Sequence, residues 1–525
     1  MAEVVDRQGY NPNLTSLCNE LIFGIVRPVG VDRDRFVSVL TQQLTEFGYA
    51  VEHIRLSSLL SEIYMVGVPD LDSLSEADRT HALISAGDQL CEITGTAAAV
   101  AFCGVLDISF RRQKRTDSTG RVAYIVDSIK RLEEVYQLKD IYGDRYIQFG
   151  LQSSENNRKE FLRSKEKSVT FAKSDNQIES DVNLLMDRDL RESSRFGQNT
   201  MRAFPLSDIF VDMDTSIERQ VVRVVNLLFD SPEYEVPTTE EYGMHLAYIS
   251  STRSPELGLK VGASILCEDQ RVIAMGVNAH PENKDRSPEF DESASDIGKL
   301  VLDTVKRLAP DYFRSDAIEA LRTDPDQFTR NLLGGALKSA RIRDLTEFQP
   351  TVHAEMSALM DALRTQSSLD GVTMYVTAYP CHGCAKHLVE LGLPIVYLEP
   401  YPKSRAATMY GNSVSRTFRV FTGVAPVRYQ KMFAVSGDRK LSDGTRRLWT
   451  HEERQKAAPK VDSNVTISLI NEREDAAIAR LPNPDNVDLT PREHGDVSEA
   501  NNTQTQGTDD VASDVASGGG GDDGS

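Results

Sequence analysis

Four residues in the second half of the chain have the types and spacing to do metal chemistry. His353 and Glu355 stand two apart in TVHAEMSALM, and Cys381 and Cys384 follow in YPCHGC. One imidazole nitrogen and two thiolates make a donor set that suits zinc, whose borderline-soft character favours nitrogen and sulfur. Three protein ligands leave the fourth tetrahedral position to water, as in catalytic sites; a structural site closes it with a fourth side chain. His382 and His387 do not follow the spacing of structural sites and are expected to be solvated or supporting. Glu355, beside the ligand His353, is placed to take up and return a proton.

These groups act together only if the chain folds them together. PTVHAEMSALMDALR reads as a helix with Met356, Leu359, Met360 and Leu363 on its apolar face and His353 and Glu355 in its first turn. GVTMYVTAYP follows as a strand with Val372, Met374 and Val376 alternating, and CHGCAKHLVELG starts a second helix at Cys381. Two helix N-termini flanking one strand bring the histidine and the cysteines to one point. Upstream, within Glu282–Gln349, the spacing of Leu300, Leu302, Val305 and Leu308 predicts helices, an insertion for oligomer contacts or a regulatory gate.

The first half of the chain has a different pattern. ELIFGIVRPVG is an apolar strand running into a Pro/Gly turn. Phe36, Val39, Leu40, Leu44 and Phe47 then fall at helical spacing, and AVEHIRL reads as a second strand. Strand, helix and strand in this order form a parallel βαβ unit. AAAVAFC around Val100 and RVAYIVDS around Ile125 are expected to add strands, and the charged stretch over about 153–207 reads as a lid-like insertion. The first turn resembles the phosphate loop of the P-loop kinases, as do DSIKRLEEVYQLKDIYG (Asp127–Gly143) and LMDRDLRESSRFGQ. A phosphate-cradling loop needs GxxxxGK[ST]. Here five residues separate Gly24 from Gly30, Val31 and Asp32 stand where Lys and Ser/Thr belong, and Arg27 interrupts the loop. The resemblance therefore implies a degenerate nucleotide-binding or structural domain, with Gly24, Arg27 and Gly30 as its nucleotide-facing residues and no phosphoryl transfer.

HxE followed by PCxxC is the signature of the zinc nucleobase deaminases. HLAYISSTRSPELGLKVGASILCEDQRVIAMGVNAHP (His245–Pro281) resembles the first helix and hairpin of the deoxycytidylate deaminases. That resemblance implies that Val261, Gly262 and Ala263 line the base pocket. It also implies that Asn278, in a motif with Gly276 and Pro281, hydrogen-bonds the sugar. PIVYLEPYPKSRAATMYG (Pro394–Gly411) resembles a further strand and turn of that family. Tyr401, Lys403 and Arg405 cluster just past that strand, where ligands gather in open α/β sheets; Lys403 and Arg405 read as phosphate contacts.

Over about residues 20–430 the chain resembles the anti-phage dCTP deaminases. The implied fold is α/β: after a segment 1–19, an N-terminal P-loop-kinase-like parallel sheet domain (20–230) precedes a cytidine-deaminase-like three-layer α/β/α domain (236–450) with the 282–349 insertion. The resemblance implies zinc held by His353, Cys381 and Cys384, with Glu355 as proton shuttle. It further implies a small-molecule nucleotide substrate, a homo-oligomer, and a regulatory RNA or nucleotide signal. The implied reaction converts dCTP, and also dCMP, to deoxyuridine nucleotides, depleting a precursor that phage replication needs.

Composition narrows the alternatives. The 525 residues carry a net charge of −20, and between Leu481 and Ser525 ten Asp and Glu stand against one Arg. That stretch has no aromatic residue, and 455–525 are expected to form a mostly disordered acidic tail. A long polynucleotide demands a basic surface and aromatic stacking positions; the acidic balance, with Trp449 the single tryptophan, disfavours an RNA- or DNA-editing deaminase. A housekeeping dCMP deaminase has the same active site but leaves the large N-terminal region without a task. A non-enzymatic nucleotide sensor has no need of Glu355. No apolar run reaches the eighteen residues of a membrane span, and MAEVVDRQGYNPN does not have the form of a signal peptide. Six cysteines are too few for a disulfide scaffold. Cys18, Cys91, Cys103 and Cys267 are expected as small buried hydrophobes in a reducing cytoplasm.

Overall fold

LIFGIV at Leu21–Val26 has no polar side chain, and all six residues are buried; such a strand needs cover on both faces, as in the middle of a parallel sheet. It is β1 of a computed structural model that describes residues 18–489, except 65–73, 116–119, 170–172, 191–195, 283–291, 339, 341, 343–344, 346–349, 366–367, 399–404, 463 and 488. With β2 (Ala50–Arg55), β3 (Val122–Ile129), β4 (Tyr146–Gln152) and β5 (Ile209–Asp212) it forms a parallel array in the order β5-β4-β1-β3-β2. Helices Asp34–Glu46 and Ile217–Leu228 bury Phe36, Leu40, Leu44 and Val221 against one face. Leu56–Tyr64, Ala99–Lys114 and Leu132–Tyr142 cover the other.

Two expectations fail here. AAAVAFC is not a strand but the start of the helix Ala99–Lys114, in which Ala99 to Val105 are buried without a break. The sheet lies on one side of this helix, and Leu56–Tyr64, Glu76–Thr94 and Ile467–Ile478 pack around it. A helix enclosed on all sides loses the amphipathic period that would identify it, so its apolar run reads like a buried strand. The second failure concerns the region from 455. Ile467–Ile478 is a helix, capped by Thr466, whose hydroxyl accepts from Leu469 N, and it buries Ile470 and Ala477 in the first core. Its acidic Glu474 is fully buried and meets Arg112 at 2.6 Å, while Glu20 meets the same guanidinium at 2.7 Å. Acidic residues there signalled an internal ion pair rather than a solvated tail. The stretch 490–525 lies outside the described residues.

The charged stretch over 153–207 folds mainly as two helices, Glu155–Val169 and Asp175–Leu190, which join through Leu162, Ile178, Val182 and Leu185 and rest on Ile84.

A second, mixed sheet contains β6 (Gly262–Cys267), β7 (Val272–Val277), β8 (Val372–Val376), β9 (Ile395–Tyr397) and β10 (Phe418–Val420), in the order β10-β9-β8-β6-β7. Strand β6 is antiparallel to both neighbours, and β8, β9 and β10 run parallel. Thr239–Ser251 covers one face; Ala354–Thr365, His382–Glu390 and Ala406–Thr417 cover the other. The described part of the 282–349 insertion consists mainly of helices Glu292–Tyr312, Ser315–Thr323 and Pro325–Gly334, around Ile297, Val301, Val305 and Leu321. Leu308, expected on the apolar face, is exposed.

The sheets are laced together. Two residues after β10 the chain enters β11 (Gly423–Val424), which pairs antiparallel with β5 of the first sheet. At this junction the buried Glu241 takes a bidentate contact from Arg223 (2.8 and 2.6 Å) and accepts from Val424 N at 2.8 Å. Among the described residues no single helix is long and apolar enough to cross a membrane.

Candidate active site

His353 is fixed from both sides in sequence. Val352 exchanges two backbone hydrogen bonds with Ala279, just past β7 (3.2 and 3.1 Å), and His353 O accepts from Ser357 N at 2.9 Å to open the helix Ala354–Thr365. This helix lies very close to the sheet: a Cβ on Gly276 of β7 would stand 2.1 Å from Ala354 O and 2.4 Å from Ala358 N. Its buried face is therefore Ala354, Glu355, Ala358, Leu359 and Ala362. The expected apolar face fails in part, since Met360 and Leu363 are 50% and 56% exposed. Small side chains set this contact because larger ones would hold the helix away.

Across the gap, Cys381 caps the helix His382–Glu390, its Sγ accepting from Cys384 N at 3.4 Å. Cys381 Sγ and Cys384 Sγ stand 3.3 and 3.5 Å from His353 Nδ1. Tetrahedral bonds of about 2.0 Å to nitrogen and 2.3 Å to sulfur space those atoms by about 3.5 Å. The three side chains fit zinc as they stand, His353 through Nδ1. No fourth His, Cys, Asp or Glu joins the group among the described residues; His387 is exposed on its helix. The Cys384 thiol, as a hydrogen-bond donor, holds Cys381 down to about 4, with His353 acting in the same sense, while Cys384 is pushed up. The hydrogen bond to Cys381 raises His353. Glu355 is 4% exposed. Burial pushes its carboxyl up against the opposing pull of His353, which brings it closer to the range where a group both gives and takes a proton.

Residues 237–399 match the cytidine and deoxycytidylate deaminase zinc-binding region. Deoxycytidylate deaminase of Enterobacteria phage T4 is 30% identical over 163 residues, which are 31% of this chain and 78% of the phage protein. The chain belongs to the deoxycytidylate deaminase family. Deoxycytidylate deaminase of Homo sapiens is 24% identical over 186 residues, 34% of this chain and 78% of that protein. The solved apo dCMP deaminase of cyanophage S-TIM5 is 17% identical over 35% of this chain and 98% of that one, with a TM-score of 0.20. Zinc is thus the metal of this deaminase, and His353, Cys381 and Cys384 are the described residues that fit it.

The other sequence-derived residues of the deaminase domain separate by face. Ala263 and the partly buried Val261 pack into the core beneath the Ala354–Thr365 helix. Gly262 points the opposite way: a Cβ there would stand 2.0 Å from Ala247 O, so it admits the Thr239–Ser251 helix rather than a base. Asn278 is 8% exposed and acts as a clamp. Its Oδ1 accepts from Val261 N (2.7 Å) and its Nδ2 donates to Leu259 O (2.9 Å), leaving one amide hydrogen and one lone pair of Oδ1 for any other partner. Arg405 is exposed at the start of Ala406–Thr417, whereas Tyr401 and Lys403 lie outside the described residues.

The residues read as a phosphate loop do not assemble as one. Gly24 is inside β1, where a Cβ would meet Tyr146 Oη at 2.1 Å. Gly30 has φ +86 and sits against Arg158 O. Arg27 turns back to Asp127 (3.3 Å) and to Val31 O (3.0 Å). Sequence reasoning passed over Arg33, Arg55 and Asp127, which come from the start of the helix Asp34–Glu46 and the ends of β2 and β3; for Arg33 the density of arginines in RPVGVDRDR was the available signal.

Proposed function

We propose that this chain is a hydrolytic deaminase that converts deoxycytidine nucleotides, dCTP and also dCMP, to deoxyuridine nucleotides, depleting dCTP in anti-phage defence. The observation that carries the chemistry is the buried Glu355 carboxyl next to the His353, Cys381 and Cys384 cluster. Held by His353, Cys381 and Cys384, zinc would supply a water whose pKa is lowered toward about 7. Glu355 would pass one proton of the water to N3 as oxygen adds to C4 of cytosine, then take the second from the added hydroxyl and pass it to the amine as the C4–N bond breaks. Cytosine nucleotide and water give uracil nucleotide and ammonia. Val261 lines the base pocket, Asn278 holds its segment in place, and Lys403 and Arg405 take the phosphates.

Support for dCTP and for defence comes from the fusion. A parallel array in the order β5-β4-β1-β3-β2 precedes the deaminase sheet, and its sequence is the part that resembles the P-loop kinases. The housekeeping reading leaves it without a task. A homo-oligomer, a cytoplasmic location and control by an RNA or nucleotide signal belong to the same reading. The similarity to deoxycytidylate deaminases favours a second reading, dCMP to dUMP for thymidylate supply.

Incubation of the zinc-loaded protein with dCTP, dCMP, CTP and cytidine, followed by chromatography, separates the two. Conversion of dCTP is expected; turnover of dCMP alone sinks the defence reading and leaves the second. Glu355→Gln should keep zinc and fold while losing about 10²–10⁴-fold or more of activity. A zinc-loaded variant within about tenfold of the parent refutes the assigned shuttle.

A further inference from the structure

The zinc ligand His353 stands at the exit of a long excursion of the chain. After β7 and Ala279 the chain runs through the helices Glu292–Tyr312, Ser315–Thr323 and Pro325–Gly334 before it returns at Pro350. Among the described residues, the core of these helices shares no residue with the core of the deaminase sheet. The two ends of the excursion meet in the backbone pair of Ala279 with Val352, and His353 follows at once. Movement of the three helices therefore reaches the metal ligand unless this root is held.

A side-chain bond ties the root down. Thr351 Oγ1 donates to Glu256 Oε1 at 2.9 Å, from a position 95 residues away in sequence. Alternate residues of an extended chain share a side, so Thr351 and His353, which flank the paired Val352, leave the chain on the same side. Glu256 is accordingly within electrostatic reach of the ring: the hydrogen bond to Cys381 is the largest cause of the raised His353 pKa, and Glu256 adds to it. Glu256 is half-buried, and among the described residues no lysine or arginine pairs with it and no side chain but Thr351 donates to it. Its backbone is fixed as well, since Glu256 N donates to Ser254 Oγ at 3.3 Å and Ser254 Oγ donates to Asn278 O at 3.0 Å. The loop that carries Glu256 thus grips both ends of the excursion, one through Asn278 and the other through Thr351. Withdrawing a carboxylate from water without a cation is costly. What this one gains is a charge-assisted hydrogen bond, about twice as strong as a neutral one, placed two residues before a zinc ligand.

We propose that Glu256 is a positioning residue of the zinc site: through Thr351 it anchors the root of the helical excursion and so holds His353 against Cys381 and Cys384. The proposal rests on the zinc-deaminase reading of that site. In this role Glu256 touches neither metal nor substrate and acts only through the chain that carries the histidine.

The test uses the full-length chain. Zinc affinity is measured by competition with a chelator, and deamination of dCMP and dCTP is followed with zinc in excess. Glu256→Ala and Thr351→Val should each weaken zinc binding by about tenfold, the lower end of the roughly 10–100-fold found for groups that orient a metal-bound histidine. Both substitutions break the same bond, so the double variant should bind zinc no worse than the weaker single one, whereas independent losses multiply. Glu256→Gln still offers an oxygen to the Thr351 hydroxyl and should recover most of what Glu256→Ala loses. With zinc in excess, kcat should fall in both single variants while KM stays near the parent value, because placement is lost rather than uniform binding. Zinc affinity within about twofold of the parent in both single variants overturns the proposal. So do losses that multiply in the double variant, a Glu256→Gln no better than Glu256→Ala, or a raised KM with kcat unchanged. Thr351→Val removes a hydroxyl with little change of shape, and it decides the matter should Glu256→Ala fail to fold. If the unsubstituted protein deaminates neither nucleotide, the proposed function fails, while the zinc titrations still test Glu256.

Discussion

Adding one methyl group at Gly276 tests whether the helix Ala354–Thr365 must lie as close to β7 as it does. The new Cβ would stand 2.1 Å from Ala354 O and 2.4 Å from Ala358 N, backbone atoms that cannot rotate aside. Opening 2.1 Å to the 3.0 Å below which Cβ contacts are essentially never found moves the first turn by about 0.9 Å. Overpacking of this kind costs about 1–3 kcal/mol, which lowers the melting temperature by roughly 2–12 °C for a domain of this size. The larger effect is on chemistry, since His353 and Glu355 ride on that turn. A displacement near 1 Å in a reacting constellation costs about 10²-fold in rate. It also stretches the His353 nitrogen beyond the roughly 3.5 Å at which it and the sulfurs share one zinc. The assay is dCMP deamination followed by chromatography, with zinc per chain and thermal melting measured on the same preparation. Gly258→Ala is the control, because a Cβ there meets nothing within 4 Å and the residue is exposed. If Gly276→Ala melts with the parent, retains zinc and turns over dCMP within about twofold of it, well short of the expected loss, the close packing does not position the site.

Cys384→Ala should remove a thiolate that no neighbour replaces, and elemental analysis should show zinc lost; full zinc with full activity refutes the ligand set. Asp127→Asn should lower stability at neutral pH by about 3–5 kcal/mol in denaturant titration, because it strands Arg27 and Arg33. Burial alone would raise the Asp127 pKa, but Arg27 and Arg33 outweigh it and hold the carboxyl below its usual range. Its contribution is therefore present above about pH 3.9 and fades as pH falls through the depressed native value. The gap between parent and Asp127→Asn should narrow in acid, and a gap that widens there contradicts the assignment. Ending the chain at 490 should leave the melting temperature unchanged, whereas ending it at 460 should destabilise the first domain by stripping Ile470 and Glu474 from Arg112 and its core; equal melting of the two truncations argues against that role.

The metal cluster was legible because its determinants are local. Two short spacings, each at a helix start, place His353, Cys381 and Cys384, and only the strand between them had to be right. The strand–helix–strand order over Leu21–Arg55 likewise announced a parallel sheet. What escaped was set by distant parts of the chain. Ala99–Lys114 hid its period because Ile467–Ile478 covers its outer side, and the acidic composition around that second helix concealed its own burial. The Ala354–Thr365 helix was given its large side chains as the inner face, but the available depth over β7 is set by Gly276, which excludes them. Asn278 was read as a sugar contact; its partners in the loop Leu259–Val261 are visible only once the strands are paired. Arg27 and Arg33 stand in one arginine-dense turn, but Arg55 joins them only through the pairing of β2 and β1 with β3.

The passage from β10 into β11 has a consequence for the order in which the protein can be made. The first sheet is finished by Gly423–Val424 and its core by Ile467–Ile478, although its other strands are complete by Asp212. Domains commonly fold as they leave the ribosome, earliest first, at a synthesis rate of about 5–20 residues per second. Here roughly 250 further residues must follow β5 before that core closes, an interval of about 13–50 s at those rates. During it the edge of β5 and the outer side of Ala99–Lys114 lack their covers, and unpaired edges of this kind are where chains associate wrongly. The deaminase sheet, whose last strand ends at Val420, can be complete before the domain that precedes it in sequence.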